Sequence, residues 1–307
     1  YNRNEENPYG TDYFKYANPY KRPGTTVEDV KRVEENIPYG SEHFPAQDYV
    51  GGVNAEGRYS VGAMSLESFG GAEKCDLTAK KAWFFFDDEI VCLGTDINST
   101  TGSSVYTTVE NRKLHLSDPA PEIDGSKAYM SGFGGCYFPK EQNVKSNIKQ
   151  CDNMKFCEIW IEHGIAPKDK EYSYVLLPGA TKEKIYEYAE KPDIEISENT
   201  KVLQAVEEKT LGITGVVFWK AGKYQNISTD TPLLMITEET KDGYKLFVSD
   251  PTHKKQSVVI TVDGLFKAEG ESDGFSVKTN EKSTRLTVDL TKTIAGSYGI
   301  TLKRQVD

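Results

Sequence analysis

The stretch from Lys80 to Asn98, KKAWFFFDDEIVCLGTDIN, constrains the fold more than any other part of the chain. Trp83, Phe84, Phe85 and Phe86 form a continuous aromatic run. Asp87 and Asp88 interrupt it, and Ile90, Val91, Cys92 and Leu93 follow as a second apolar run closed by Gly94. Short apolar runs on either side of a polar break read as two strands and a turn. Apolar residues at consecutive positions occupy both faces of a strand, so the pattern predicts a sheet covered on both sides and a Phe85 side chain that is fully buried. Core packing accounts for these aromatics without chemistry. Asp87, Asp88 and Glu89 form a carboxylate cluster, but a turn between strands is where solvated acids normally lie.

The same alternation continues to the end of the chain. Val258, Ile260 and Val262, then Leu286, Val288 and Leu290, then Tyr298, Ile300 and Leu302 are spaced by two. Asp242-Gly243, Asp263-Gly264 and Asp273-Gly274 stand between such runs as turns suited to a positive φ at the glycine. Strands punctuated in this way predict an antiparallel sandwich. Further strands are expected over Tyr59 to Phe69, Phe156 to Glu162 and Tyr172 to Leu177. Val105 to Val109 and Lys113 to Leu116 read as a pair separated by Glu110-Asn111-Arg112. Ala128 to Phe133 and Cys136 to Phe138 bracket a turn at Gly134-Gly135. One helix stands out, Thr181 to Glu190, with Thr181 as N-cap and Ile185, Tyr188 and Ala189 on one face. Thr26 to Glu35 reads as a short helical turn.

The fold class expected is therefore mainly β: a large antiparallel super-sandwich over residues 1–190, opening with an irregular segment, then a smaller antiparallel sandwich over 191–307. The polar segment KPDIEISENT marks the boundary near Glu190. With 307 residues, 37% of them hydrophobic, the chain can build a sizeable core. No apolar run approaches the roughly 20 residues of a membrane span. The opening YNRNEENPYG has no basic-then-apolar leader, as expected if a leader has been removed or the sequence is an internal fragment. A formal charge of -10 argues against nucleic acid as a partner, because phosphate binding needs a basic surface.

Chemistry-bearing patterns are sparse. The five cysteines, Cys75, Cys92, Cys136, Cys151 and Cys157, include no CxxC pair, and no histidine stands at zinc-finger spacing, so neither a metal site nor a cofactor is expected. Cys151 and Cys157 flank a short loop and could bridge it in an oxidising compartment. Asn98-Ser99-Thr100 and Asn226-Ile227-Ser228 are glycosylation sequons. His43, His115, His163 and His253 stand in no relay with a nucleophile, and G-x-S-x-G, P-loop and HExxH patterns are absent. Residue chemistry alone leads no further than a β-rich, extracellular-type protein.

Several blocks in order carry more. NPYKRPGTT (18–26), KKAWFFFDDEIVCLG (80–94), ENRKL (110–114), IEHGIAPKDKEYSYVLLPGAT (161–181) and FVSDPT (247–252) make the chain resemble the C-terminal half of the family 8 polysaccharide lyases, the group of hyaluronate, chondroitin AC and xanthan lyases. The resemblance implies a central β super-sandwich and a C-terminal sandwich of a secreted enzyme that cleaves uronate-containing polysaccharide by β-elimination. It also implies an N-terminal α/α toroid as partner and an acidic polysaccharide as substrate. The toroid's catalytic Asn, His, Tyr and Arg have no matching positions here, so no catalytic residue is transferred and this portion alone is expected to be inactive. Asn18, Tyr20 and Arg22 of NPYKRPG are the candidates for the rim of the substrate cleft. A carbohydrate-binding or adhesin-type sandwich without a toroid is the alternative, and a sandwich hydrolase with its own paired carboxylates is a second.

Overall fold

The computed structural model describes residues 11–30, 46–68, 75–152, 154–254, 257–270, 272, 274–291 and 296–305. In chain order the elements up to the second helix are α1 (Thr11–Tyr16), β1 (Thr26–Glu28), β2 (Val50–Ala55), β3 (Tyr59–Glu67), β4 (Thr78–Phe85), β5 (Ile90–Asn98), β6 (Ser104–His115), β7 (Glu122–Ile123), β8 (Lys127–Met130), β9 (Gly134–Tyr137), β10 (Val144–Cys151), β11 (Met154–Ile165), β12 (Lys170–Pro178) and α2 (Lys182–Glu190). There follow β13 (Ile194–Asn199), β14 (Leu203–Glu208), β15 (Ile213–Phe218), β16 (Gly222–Tyr224), β17 (Ile227–Thr229), β18 (Leu233–Thr240), β19 (Gly243–Ser249), β20 (Ser257–Asp263), β21 (Phe266–Glu269), β22 (Phe275–Thr279), β23 (Ser283–Asp289) and β24 (Tyr298–Arg304). Among the described residues the strands form sheets of order β1-β6-β11-β10, β2-β3-β4-β5-β12-β9-β8-β7, β13-β14-β15-β18-β19-β24-β21 and β16-β17-β20-β23-β22. No helix among the described residues is long and apolar enough to cross a membrane.

Contacts divide the chain into two units, one of Tyr1–Gln47, Leu66–Ala79 and Asp88–Pro192, the other of Asp48–Ser65, Lys80–Asp87 and Asp193–Asp307. In the first unit β6 and β11 are the long central strands of the four-stranded sheet, paired antiparallel from Met154↔His115 to Ile165↔Ser104 with bulges between Ile159 and Trp160 and between Glu162 and Gly164. A bulge shifts which side chains share a face and bends the strand that carries it. β10 closes the sheet as a largely exposed edge carrying Lys145 and Lys149, charges that discourage further strand pairing. α2 begins where the sequence places it, with Thr181 Oγ1 accepting from the Lys184 amide at 3.2 Å, and buries Ile185 and Tyr188. Gly135 lets it dock: a Cβ there would come within 2.6 Å of Ile185 Cδ1.

In the second unit the seven- and five-stranded sheets share one core, with Val216, Phe218, Leu246, Val248 and Leu302 of the former packed with Val258, Ile260, Val262, Leu286 and Val288 of the latter. The period-two runs of the sequence are β20, β23 and β24, as their spacing predicts. Gly264 and Gly274 take positive φ of +103° and +83°, as their turns require. Gly243 does not need one: it starts β19, and a Cβ there would collide with the Leu302 carbonyl.

Several expectations need correction. The aromatic run alternates: Phe84 is fully buried and Phe86 nearly so, but Phe85 is 40% exposed and Trp83 half-buried, because side chains on one strand point to opposite faces. Asp87 and Asp88 are exposed turn acids, whereas Glu89 is buried. Thr26–Glu28 is a strand, held by pairing with Thr107, Tyr106 and Val105 of β6, and residues 31–35 lie outside the described residues. Val105 to Leu116 is no hairpin, since Glu110, Asn111 and Arg112 run through the middle of β6. The turn between β8 and β9 falls at 131–133, with Gly134 and Gly135 already in β9. Cys151 faces Met154 across the β10–β11 hairpin while Cys157 faces Ile148, rungs too far apart for a bridge, and no disulfide joins any of the five cysteines.

Candidate functional site

The three sequence candidates fall in one loop, between α1 and β1, laid across β6 and β11. Asn18 Oδ1 accepts the Tyr20 amide at 3.0 Å, closing an Asx turn. The Arg22 carbonyl accepts from the Thr25 amide at 3.1 Å and from its hydroxyl at 2.7 Å. Gly24, at φ +80°, sends its amide to the Thr108 carbonyl at 2.8 Å, and the Thr108 amide returns to Thr25 at 2.9 Å. Asn18 therefore shapes the loop, Tyr20 is half-buried, and Arg22 is exposed, its guanidinium paired with none of the described residues.

The residues that fix this loop were not singled out by sequence reasoning. Asn111, fully buried on β6, donates from Nδ2 to the Lys21 carbonyl at 2.7 Å and reaches the Asn18 carbonyl at 3.5 Å. Lys21 is the loop's inward side chain. Its Nζ lies 3.1 Å from the centroid of the half-buried Trp160 ring, 5.4 Å from that of Tyr106 and 3.6 Å from Glu158 Oε2. Trp160 Nε1 donates to Glu162 Oε2 at 3.3 Å, and Glu162 accepts from the Ser104 hydroxyl through its other oxygen. Below the patch, Arg112 contacts one Glu110 oxygen through both Nε and Nη2, at 3.1 and 2.9 Å. Burial, and then the nearby Glu110 and Glu158 carboxylates, push the Cys157 thiol up to about 12, so it is no nucleophile. The signal available in the sequence was the polar trio Glu110-Asn111-Arg112 inside an apolar strand. A buried polar group needs partners: Glu110 and Arg112 find them in each other, and Asn111 finds its own in the loop it anchors.

The histidines offer no relay among the described residues. His163 is buried, its Nε2 2.7 Å from Thr107 Oγ1, which in turn lies 2.8 Å from Thr26 Oγ1. His253 Nε2 lies 2.6 Å from the Val50 carbonyl. His115 is exposed, and its amide donates to Asp118. His43 lies outside the described residues. No group of three or more His, Cys, Asp or Glu among the described residues could hold a metal ion. The patch thus engages its indole and its ammonium with each other and leaves the Arg22 guanidinium exposed; it has no base poised beside an acid.

Two family models match the chain: the super-sandwich domain of polysaccharide lyase family 8 over residues 1–134, and the C-terminal beta-sandwich domain of the same family over residues 195–259. The chain belongs to polysaccharide lyase family 8. It is 31% identical to a xanthan lyase of Bacillus sp. (strain GL1) over 92% of its own length and 34% of the relative's. Against a hyaluronate lyase of Thermasporomyces composti it is 28% identical, over 92% of this chain and 40% of that one. The Streptomyces coelicolor A3 chondroitin AC lyase superposes with a TM-score of 0.84 over 96% of this chain and 41% of the lyase, at 23% identity, a likeness of fold. The chain thus spans between a third and about two-fifths of the length of these lyases. The two models give the family's β domains and bear out the mainly β architecture of a super-sandwich followed by a smaller sandwich.

Proposed function

We propose that this chain is the β portion of a secreted lyase that cleaves uronate-containing polysaccharide by β-elimination, with the catalytic groups on an α/α toroid outside residues 1–307. Residues 1–190 serve as the super-sandwich and 191–307 as the C-terminal sandwich. The observation that carries this reading is that nearly the whole chain aligns with lyases two to three times its length, while the patch around Lys21 and Trp160 does not join a base, an acid and a carboxylate-neutralising group. Elimination across C4 and C5 of a uronate needs all three: the carboxylate must be neutralised before the C5 proton becomes acidic, a positioned base must take that proton, and an acid must protonate the departing glycosidic oxygen. In this reading the NPYKRPG loop borders the cleft, with Arg22 and Tyr20 facing polymer, Asn18 closing the turn and the Lys21–Trp160 contact keeping the loop in place.

The test is absorbance from unsaturated uronate ends on hyaluronan, chondroitin and xanthan. The chain alone should give no rise. Joined to the toroid, covalently or as a second chain, it should give one on at least one polymer, and Arg22→Ala should raise KM more than it lowers kcat, as loss of a binding contact does. Turnover by the chain alone overturns the division of labour, and silence of the joined enzyme on every uronate polymer favours a carbohydrate-binding module.

A further inference from the structure

The C-terminal sandwich holds a cavity of about 640 Å³, separate in its lining from the loop described above. It opens where the β16–β17 hairpin of the five-stranded sheet meets the β18–β19 turn and the end of β24 of the seven-stranded sheet, and its size falls within the range of small-ligand sites. Two tyrosines form its walls. Tyr224 is locked by hydroxyl contacts to Ser197 Oγ at 2.8 Å and Gln225 Nε2 at 3.3 Å. Tyr244 packs edge-on to Phe266 with ring centroids 5.3 Å apart, and its buried hydroxyl oxygen has no hydrogen-bond partner among the described residues.

The lining is more polar than apolar, and its charges are unevenly matched. Asp242 is engaged by Lys303, Nζ to Oδ2 3.5 Å. Lys241 and Arg304, both exposed, line the same mouth, and neither pairs with a carboxylate among the described residues; Arg304 instead lies with Cζ 5.4 Å from the Phe266 centroid. Rigid aromatic walls, carboxylate and amide acceptors and two cations in no ion pair among the described residues, against the one further carboxylate of Glu239, are complementary to a sugar. The C–H faces of a pyranose stack on tyrosine rings, its hydroxyls exchange hydrogen bonds with Glu239 and Asn226, and a uronate carboxylate meets the ammonium and guanidinium.

We propose that this cavity is a saccharide subsite of the C-terminal sandwich, taking a short segment of uronate-bearing polymer with one carboxylate set toward Lys241 and Arg304. The choice of a uronate rests on the functional reading above, whereas the subsite itself rests on the cavity. Its role is retention: a second point of attachment to one polymer raises the effective concentration of that polymer at any linked site.

The experiment is titration of the chain with a hyaluronan hexasaccharide and, separately, with neutral cellohexaose, followed by the NMR shifts of backbone amides. Perturbations should centre on 224–227 and 241–244 for the hyaluronan hexasaccharide. The exposed-site variant Lys241→Ala/Arg304→Ala, with an unchanged thermal midpoint, should bind it about tenfold more weakly, the worth of two rim charges. The loss should shrink at high salt. Equal binding of cellohexaose, unaffected by the double variant, overturns the carboxylate assignment. Absence of shifts at these residues with either sugar overturns the subsite. Both readouts are binding, so a lyase reading that failed on turnover would leave them standing, and the reverse holds as well.

Discussion

Lys21 Nζ stands 3.1 Å from the centre of the Trp160 ring and 3.6 Å from Glu158 Oε2, so a single ammonium joins the NPYKRPG loop to the middle of β11. Both charged side chains are about nine-tenths buried, at 13% and 10% exposure, where a cation over indole and an ion pair are screened little by solvent. Lys21→Met keeps the aliphatic stem but removes the charge, taking away the cation–π contact and leaving Glu158 without its cation. The expected loss is about 1–3 kcal/mol of unfolding free energy in urea, with an unchanged m-value. Arg22→Met, one position along and exposed, should fall within about 0.5 kcal/mol of the parent. Equal effects of the two would mean that the contact is not held in solution.

The aromatic run of β4 provides a direct comparison of neighbours. Phe84 is fully buried and packs so closely that a Cβ on Gly215 would lie 2.6 Å from its Cδ1, whereas Phe85 on the opposite face is 40% exposed. Phe84→Ala should therefore cost about 3–5 kcal/mol through lost transfer energy and a residual cavity, and Phe85→Ala less than about 1 kcal/mol. Gly215→Ala should cost about 1–3 kcal/mol by overpacking the same contact. Chemical denaturation of the three variants measures all of these, and similar costs for Phe84→Ala and Phe85→Ala would contradict the assignment of faces.

What the sequence disclosed follows from what local pattern encodes. Leu286, Val288 and Leu290 could be read because burial of one sheet face imposes a period of two along a strand, and Thr181 because an N-cap hydroxyl has a fixed offset from the amide it accepts. The reading failed where a tertiary partner reverses a local preference. Glu110, Asn111 and Arg112 look like a turn, yet Glu110 pairs with Arg112 and Asn111 holds the Lys21 carbonyl, so the strand continues through them. Phe85 looks like core because it follows Phe84, but what covers each face of β4 is settled by segments far away in sequence. Pro19, Pro23 and Gly24 mark the candidate loop as a turn in the sequence itself. Its anchor at Trp160 was not legible there, because Lys21 and Trp160 lie far apart in sequence and meet only through the fold.

Glu28 gives the first unit a definite response to acid. Its side chain is fully buried at the end of β1, and burial by itself disfavours the carboxylate. Hydrogen bonds from Ser99 and Thr101 Oγ at 2.9 Å each, from Ser68 Oγ at 2.9 Å and from the Asp76 amide at 3.4 Å outweigh that penalty and hold the carboxyl below its ordinary value of 4.5. The unfolded chain therefore binds the proton more tightly than the folded one, and stability rises with pH across this interval. The contribution of Glu28 is complete above its ordinary value and is lost as pH falls through the lower folded value. Glu28→Gln removes the titration and presents an NH2 group to hydroxyls that had donated to an oxygen, so it should destabilise the protein by about 2 kcal/mol or more near neutral pH. The gap between parent and variant should then narrow as pH falls below 4.5 toward the lower folded value of the parent's own carboxyl. Urea midpoints measured across that range decide the matter: a gap that stays constant with pH would mean that Glu28 is held by shape alone, with its charge contributing nothing to the join between β1 and the segments that carry Ser68, Asp76 and Ser99.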